Sequence, residues 1–158
     1  MAAGLAFLGS SAHAQWMYDE QGGAFSDTKT HIAFTGNSSG YGFGLRCTSI
    51  DDLRVVFMTP EEVENSSLKN LNDIGTEILV RVDQNEPYEF IATAQALPTG
   101  LGFFASTNGD FVEEFAEGQS DLAVAVRALG QIFHEVRFNT RESQKAIHDM
   151  RSGCGFSD

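Results

Sequence analysis

The stretch YGFGLRC, residues 41–47, decides the fold class. Tyr41, Phe43, Leu45 and Cys47 fall on one side of a two-residue period and Gly42, Gly44 and Arg46 on the other, so the stretch reads as a half-buried β-strand with Cys47 pointing inward. The same period runs outward in both directions. In THIAFTG (30–36), Ile32 and Phe34 share one side and His31 and Thr35 the other, while LRVVFM (53–58) alternates less cleanly until Pro60, which cannot donate to a ladder, ends it. EILVRVD (77–83) places Ile78, Val80 and Val82 together, QNEP (84–87) is a turn, and YEFIATA (88–94) returns with Tyr88 and Phe90 inward. LGFFAS (101–106) predicts another strand, and LAVAVRAL and IFHEVRF, on either side of Gly130, predict a hairpin.

Two segments break the period. PEEVENSSLKNL (60–71) predicts a short helix or ordered loop, and DFVEEFAEG (110–118), with Phe111, Val112 and Phe115, one or two helical turns. Glu61-Glu62 and Glu113-Glu114 are read at the starts of these segments, where acids favour the helix dipole. After Phe138 a helix is expected. Asn139 is its candidate cap, Glu142 completes a capping box, Ala146, Ile147 and Met150 form the apolar stripe, and Gly153 supplies a left-handed stop. The expected architecture is mainly β, an antiparallel β-sandwich or partly closed barrel with a C-terminal α-helix.

The 158 residues suit one core. Ten Lys and Arg against 22 Asp and Glu give a net charge of −12, so phosphate backbones and anionic lipid surfaces are met with repulsion, and nucleic acid is not an expected partner. No segment approaches the ~20 apolar residues of a membrane span. Residues 1–14 carry no charge, hold a short apolar run at Leu5–Leu8 and end Ala12-His13-Ala14, which predicts a signal peptide cleaved between Ala14 and Gln15, although the basic start of such peptides is missing. Residues 15–158 would then form a single β-rich domain in the periplasm or outside the cell.

Export gives the two cysteines a meaning. In an oxidising compartment Cys47 and Cys154, 107 positions apart (154 minus 47), are expected to form a bridge that clamps the last helix to an early strand; two separate buried thiols are the alternative.

No assembled catalytic motif appears. His134-Glu135 lacks the second histidine of a zinc-protease motif, since position 138 is Phe; no G-x-S-x-G nucleophile turn occurs; and the glycines of GNSSGYGFG are followed by no P-loop lysine. The expectation is no enzyme, no cofactor and no catalytic or metal site. A periplasmic hydrolase or metal-dependent enzyme would need two or more of His31, His134 and His148 to converge beside carboxylates in the fold. A small-molecule carrier would need an apolar pocket inside the sheet. Exposure of some of Tyr18, Phe25, Tyr41 and Phe104 together would make a partner-binding patch.

Trp16 just after the predicted cleavage, SDTKTHIAF (26–34), GLRC (44–47), VRVDQNEP (80–87) and the closing FNTRESQKAIHDMRSGCG (138–155) together resemble the invasion-associated locus B family of bacterial envelope proteins. They are also similar to the VasI-like accessory proteins of type VI secretion systems. The resemblance implies a periplasmic, mainly β domain with one disulfide, Cys47–Cys154, and no known catalytic machinery. The expected role is a non-catalytic accessory or protein-binding domain whose partner is another envelope or secretion-system protein.

Overall fold

A computed structural model describes residues 15–25, 27–118 and 120–156. Residues 1–14, with the predicted signal peptide and Ala14, lie outside the described residues; Gln15, on the other side of the predicted cleavage, is exposed. The described chain runs β1 (Met17–Gln21), β2 (Thr30–Gly36), β3 (Gly42–Cys47), β4 (Leu53–Thr59), α1 (Asn65–Ile74), β5 (Thr76–Val82), β6 (Tyr88–Leu97), β7 (Gly100–Ser106), α2 (Gly109–Glu117), β8 (Asp121–Ala128), β9 (Gln131–Asn139) and α3 (Ser143–Gly153). The strands make one antiparallel sheet in the order β1-β2-β3-β4-β7-β6-β5-β8-β9.

Neighbouring hairpins explain most of that order, and registers show which face is buried. His31 stands opposite Cys47 and Ala33 opposite Leu45, so His31, Ala33 and Thr35 share the inner face with Phe43, Leu45 and Cys47, while Ile32 and Phe34 lie half-buried on the outer face. Leu53, Val55 and Phe57 of β4, Ile78, Val80 and Val82 of β5 and Leu122, Val124 and Val126 of β8 continue the inner face. Gly100, with φ +150°, lets β7 begin tight against β4: a Cβ there would come within 2.0 Å of the Thr59 carbonyl oxygen.

The sheet curls without closing into a barrel. Its two ends meet where the Trp16 indole Nε1–H donates to the Asn139 carbonyl at 2.8 Å and Phe43 of β3 approaches Phe138 of β9, centroids 6.4 Å apart. Inside the curl, Phe43, Phe111 and Phe115 are fully buried, and Trp16 packs on Phe115 at 5.2 Å. Each such side chain contributes about 1.5–3 kcal/mol on leaving water. Two of these phenylalanines come from α2, whose first turn is capped by Asn108, the side-chain oxygen accepting from the Phe111 N–H at 3.0 Å.

Helix α3 lies against β1, β2, β3 and α2 and buries Ala146, Ile147 and Met150. The disulfide between Cys47 and Cys154, Cα atoms 6.1 Å apart, fixes its end to β3. Its beginning differs from expectation. Asn139 is the last residue of β9, its side chain accepting the Arg141 N–H at 2.8 Å in a local turn, and Glu142 precedes the helix with no side-chain capping bond. Its end differs too: Gly153 belongs to the helix and the left-handed residue is Gly155, φ +86°. Among the described residues no helix is long and apolar enough to cross a membrane.

Candidate functional site

Strand β6 outruns β5. Their ladder ends where Thr76 meets Ala92, and the two backbone groups of Ala94 beyond it are taken by the Asn72 side chain, at 2.8 Å to the amide N–H and 3.0 Å to the carbonyl. One asparagine thus holds α1 over the end of the sheet. The helix buries none of its residues fully and forms a wall, with Leu68 and Leu71 turned toward the core. Between α1 and the β8–β9 hairpin lies a groove of about 690 Å³, floored by the inward-facing Leu101, Phe103, Val126 and Ala128. Glu61, Glu62 and Glu64 stand along its α1 side. Glu61 and Glu62 flank the start of the helix, Glu64 is its N-cap residue, and its first turn holds no acid; Glu113 and Glu114 lie inside α2 beyond its first turn, where Glu114 accepts from Tyr88 and Asn85.

His134 closes the other side of the mouth. The β8–β9 register shifts between Val124 and Val126, and His134, φ +52°, occupies the resulting bulge, so Phe133 and Val136 both turn toward the inner face. Its Nε2 is 2.7 Å from a Glu61 carboxylate oxygen and its Nδ1 3.2 Å from the Tyr41 hydroxyl. A carboxylate only accepts, so Nε2 carries the proton there, and in the neutral ring Nδ1 accepts from Tyr41. Tyr41 is stacked on Phe57 with centroids 6.1 Å apart. The imidazole therefore stitches β9 to the chain before β3 and after β4, across the line where the sheet fails to close.

His31 has a separate environment. It is buried, accepts or donates at 2.9 Å to the Tyr18 hydroxyl, lies 3.7 Å from a Glu20 carboxylate oxygen and faces α3. Burial, and then the Glu20 charge, raise the Tyr18 pKa. His148 is exposed on α3. The three histidines of the enzyme reading thus do not share a cleft, and among the described residues no group of three or more His, Cys, Asp and Glu is placed to hold a metal ion.

The condition for an aromatic patch, joint exposure of some of Tyr18, Phe25, Tyr41 and Phe104, is not met either. Tyr18 and Tyr41 face their histidines, Phe104 stands on the outer face beside Val56 and Thr93, and Phe25 is exposed in the segment after β1. A different surface does. Ile132, Arg127, Glu77 and Ile91 form one transverse row across β9, β8, β5 and β6 on the outer face. Ile91 is 86% and Ile132 56% exposed, and Leu129, at the hairpin tip beside them, 77%. Between the isoleucines Arg127 grips Glu89 with two nitrogens, at 2.8 and 3.1 Å, and Glu77 with Nε at 2.7 Å. That grip holds the Glu89 carboxyl below the usual carboxylate range and keeps the guanidinium protonated. A Leu-Gly turn where Asn-Gly is the usual choice was the one available sequence signal of this surface.

Compared with protein-family models, curated proteins and solved structures, the chain matches none.

Proposed function

We propose that the chain is an exported, non-catalytic domain of the bacterial envelope that binds another protein, as the resemblance to invasion-associated locus B proteins implies. The observation that carries this reading is the outer-face corner formed by Ile91, Leu129 and Ile132 around Arg127. Exposed apolar side chains grouped together and rimmed by polar residues mark interaction surfaces, and arginine is enriched at interfaces. Arg127 is already held by two carboxylates, so docking would order few new groups. A disulfide between β3 and the end of α3 is compatible with an oxidising compartment.

The test is photocrosslinking in the host envelope with a reactive side chain in place of Leu129, comparing the natural surface with Ile91→Asp plus Ile132→Asp. A specific protein adduct that disappears in the double variant, while the disulfide and thermal unfolding stay intact, is the expected result. An adduct equally strong in both, or no protein adduct in either, overturns the reading.

A further inference from the structure

The groove on the opposite, inner side of the sheet has chemistry of its own. We infer that it binds a small cationic amphiphile, an aliphatic chain or ring system carrying one positive charge, which goes beyond the protein-binding reading and shares only Leu129, at the hairpin tip, with that surface. The volume of about 690 Å³ lies within the ~300–1,000 Å³ of small-molecule sites, and the mouth of a curled sheet is a usual place for one. Leu101, Phe103 and Val126 offer the chain an apolar floor, and Phe133 and Leu71 offer it walls.

Charge selects the head group. The described residues lining the groove include Glu61, Glu62 and Glu64 and no Lys or Arg, on a chain of net charge −12. An alkyl carboxylate or phosphate would bring a second negative charge to that rim, whereas an ammonium is attracted to it. Glu61 is engaged by His134, which leaves Glu62 and Glu64, both exposed, to face the cation. A second copy of this chain is a poor occupant for the same reason, because its acidic surface would meet an acidic rim. The walls are set before binding: Asn72 pins α1 to Ala94, and His134 pins β9 to Glu61 and Tyr41.

The test compares three probes with the same ten-carbon tail, decylammonium, decyl maltoside and decanoate, each below its micelle-forming concentration, by calorimetric titration of the intact oxidised chain. Decylammonium should bind about tenfold tighter than decanoate, with decyl maltoside between them. Glu62→Gln plus Glu64→Gln should bring decylammonium to the level of decyl maltoside, and added salt should do part of the same. Ser67→Trp, which places a ring in the groove from the exposed face of α1, should weaken all three without unfolding the chain. The inference is overturned if decanoate binds as tightly as decylammonium, if decylammonium does not bind, or if Ser67→Trp leaves its affinity unchanged, since the cation would then be sitting elsewhere on the acidic surface.

Discussion

Gly153 lies against the imidazole of His31 so closely that a Cβ on the glycine would come within 2.3 Å of the ring Nδ1. His31 in turn stands across the β2–β3 ladder from Cys47, and Gly153 immediately precedes Cys154, so ring, glycine and disulfide form one junction between sheet and helix. Gly153→Ala should destabilise the oxidised chain by about 1–3 kcal/mol, the usual cost of overpacking a filled site. Gly155→Ala has open space around it and pays only for its left-handed backbone, about 1–2 kcal/mol. Urea unfolding measures both. Restored stability in His31→Ala plus Gly153→Ala, relative to the sum of the single changes, would assign the cost to this contact; strict additivity would refute it.

The disulfide closes a loop of 107 positions. In the chain-entropy account a loop of that size is worth about 4.7 kcal/mol, so Cys47→Ala plus Cys154→Ala should lower unfolding free energy by about 3–5 kcal/mol. The loss should be uneven. Helix α3 buries only one side of eleven residues, and without the clamp its amides should exchange with solvent well before those of β3 or β4. Equal protection of α3 in the two forms would mean that Ala146, Ile147 and Met150 hold the helix unaided.

At the β8–β9 turn, Leu129 and Gly130 have φ of +50° and +74°, the signature of a type I′ turn, in which leucine is a poor first residue. Its side chain is exposed and gains no packing that would offset the left-handed backbone. Leu129→Asn should therefore stabilise the chain by about 0.5–1 kcal/mol in thermal or urea unfolding while weakening partner capture in the envelope. Stabilisation with undiminished capture would separate the turn from the binding surface.

Much of this fold is visible in local pattern. The alternation of YGFGLRC, EILVRVD and LAVAVRAL places inner-face residues correctly because each strand buries one side, and Phe111, Val112 and Phe115 mark α2 because three apolar residues share one helical face. What escaped depends on contacts distant in the chain. The role of Gly153 is set by a ring 122 positions earlier (153 minus 31), not by local backbone conformation. The bulge at His134 turns Phe133 inward and Ile132 outward while Val136 and Phe138 keep the inner face, and nothing within IFHEVRF marks the shift. The groove arises because β6 outruns β5 and Asn72 fills the gap, a relationship between three elements, so Glu61 and Glu62 looked like helix-dipole acids when read beside α1 alone.

Tyr88 offers a spectroscopic check on how α2 is tied to the sheet. Its hydroxyl donates to a Glu114 carboxylate oxygen at 2.6 Å, and that bond, with burial and the nearby charge of Glu114, pushes its pKa up to about 12. The folded state thus holds the phenolic proton more tightly than the unfolded chain, where tyrosine titrates near ~10. The stabilisation is fully present below pH ~10 and is lost as pH rises through about 12. In an ultraviolet absorbance titration of the three tyrosines, a step near 12 should vanish in Tyr88→Phe and move down toward the ordinary range in Glu114→Gln, with circular dichroism showing the fold intact over the step. If Tyr88→Phe instead removes a step at the ordinary position, Tyr88 does not donate to Glu114 in solution, and α2 is held to the sheet by the packing of Phe111, Val112 and Phe115 and by the Asn85–Glu114 bond.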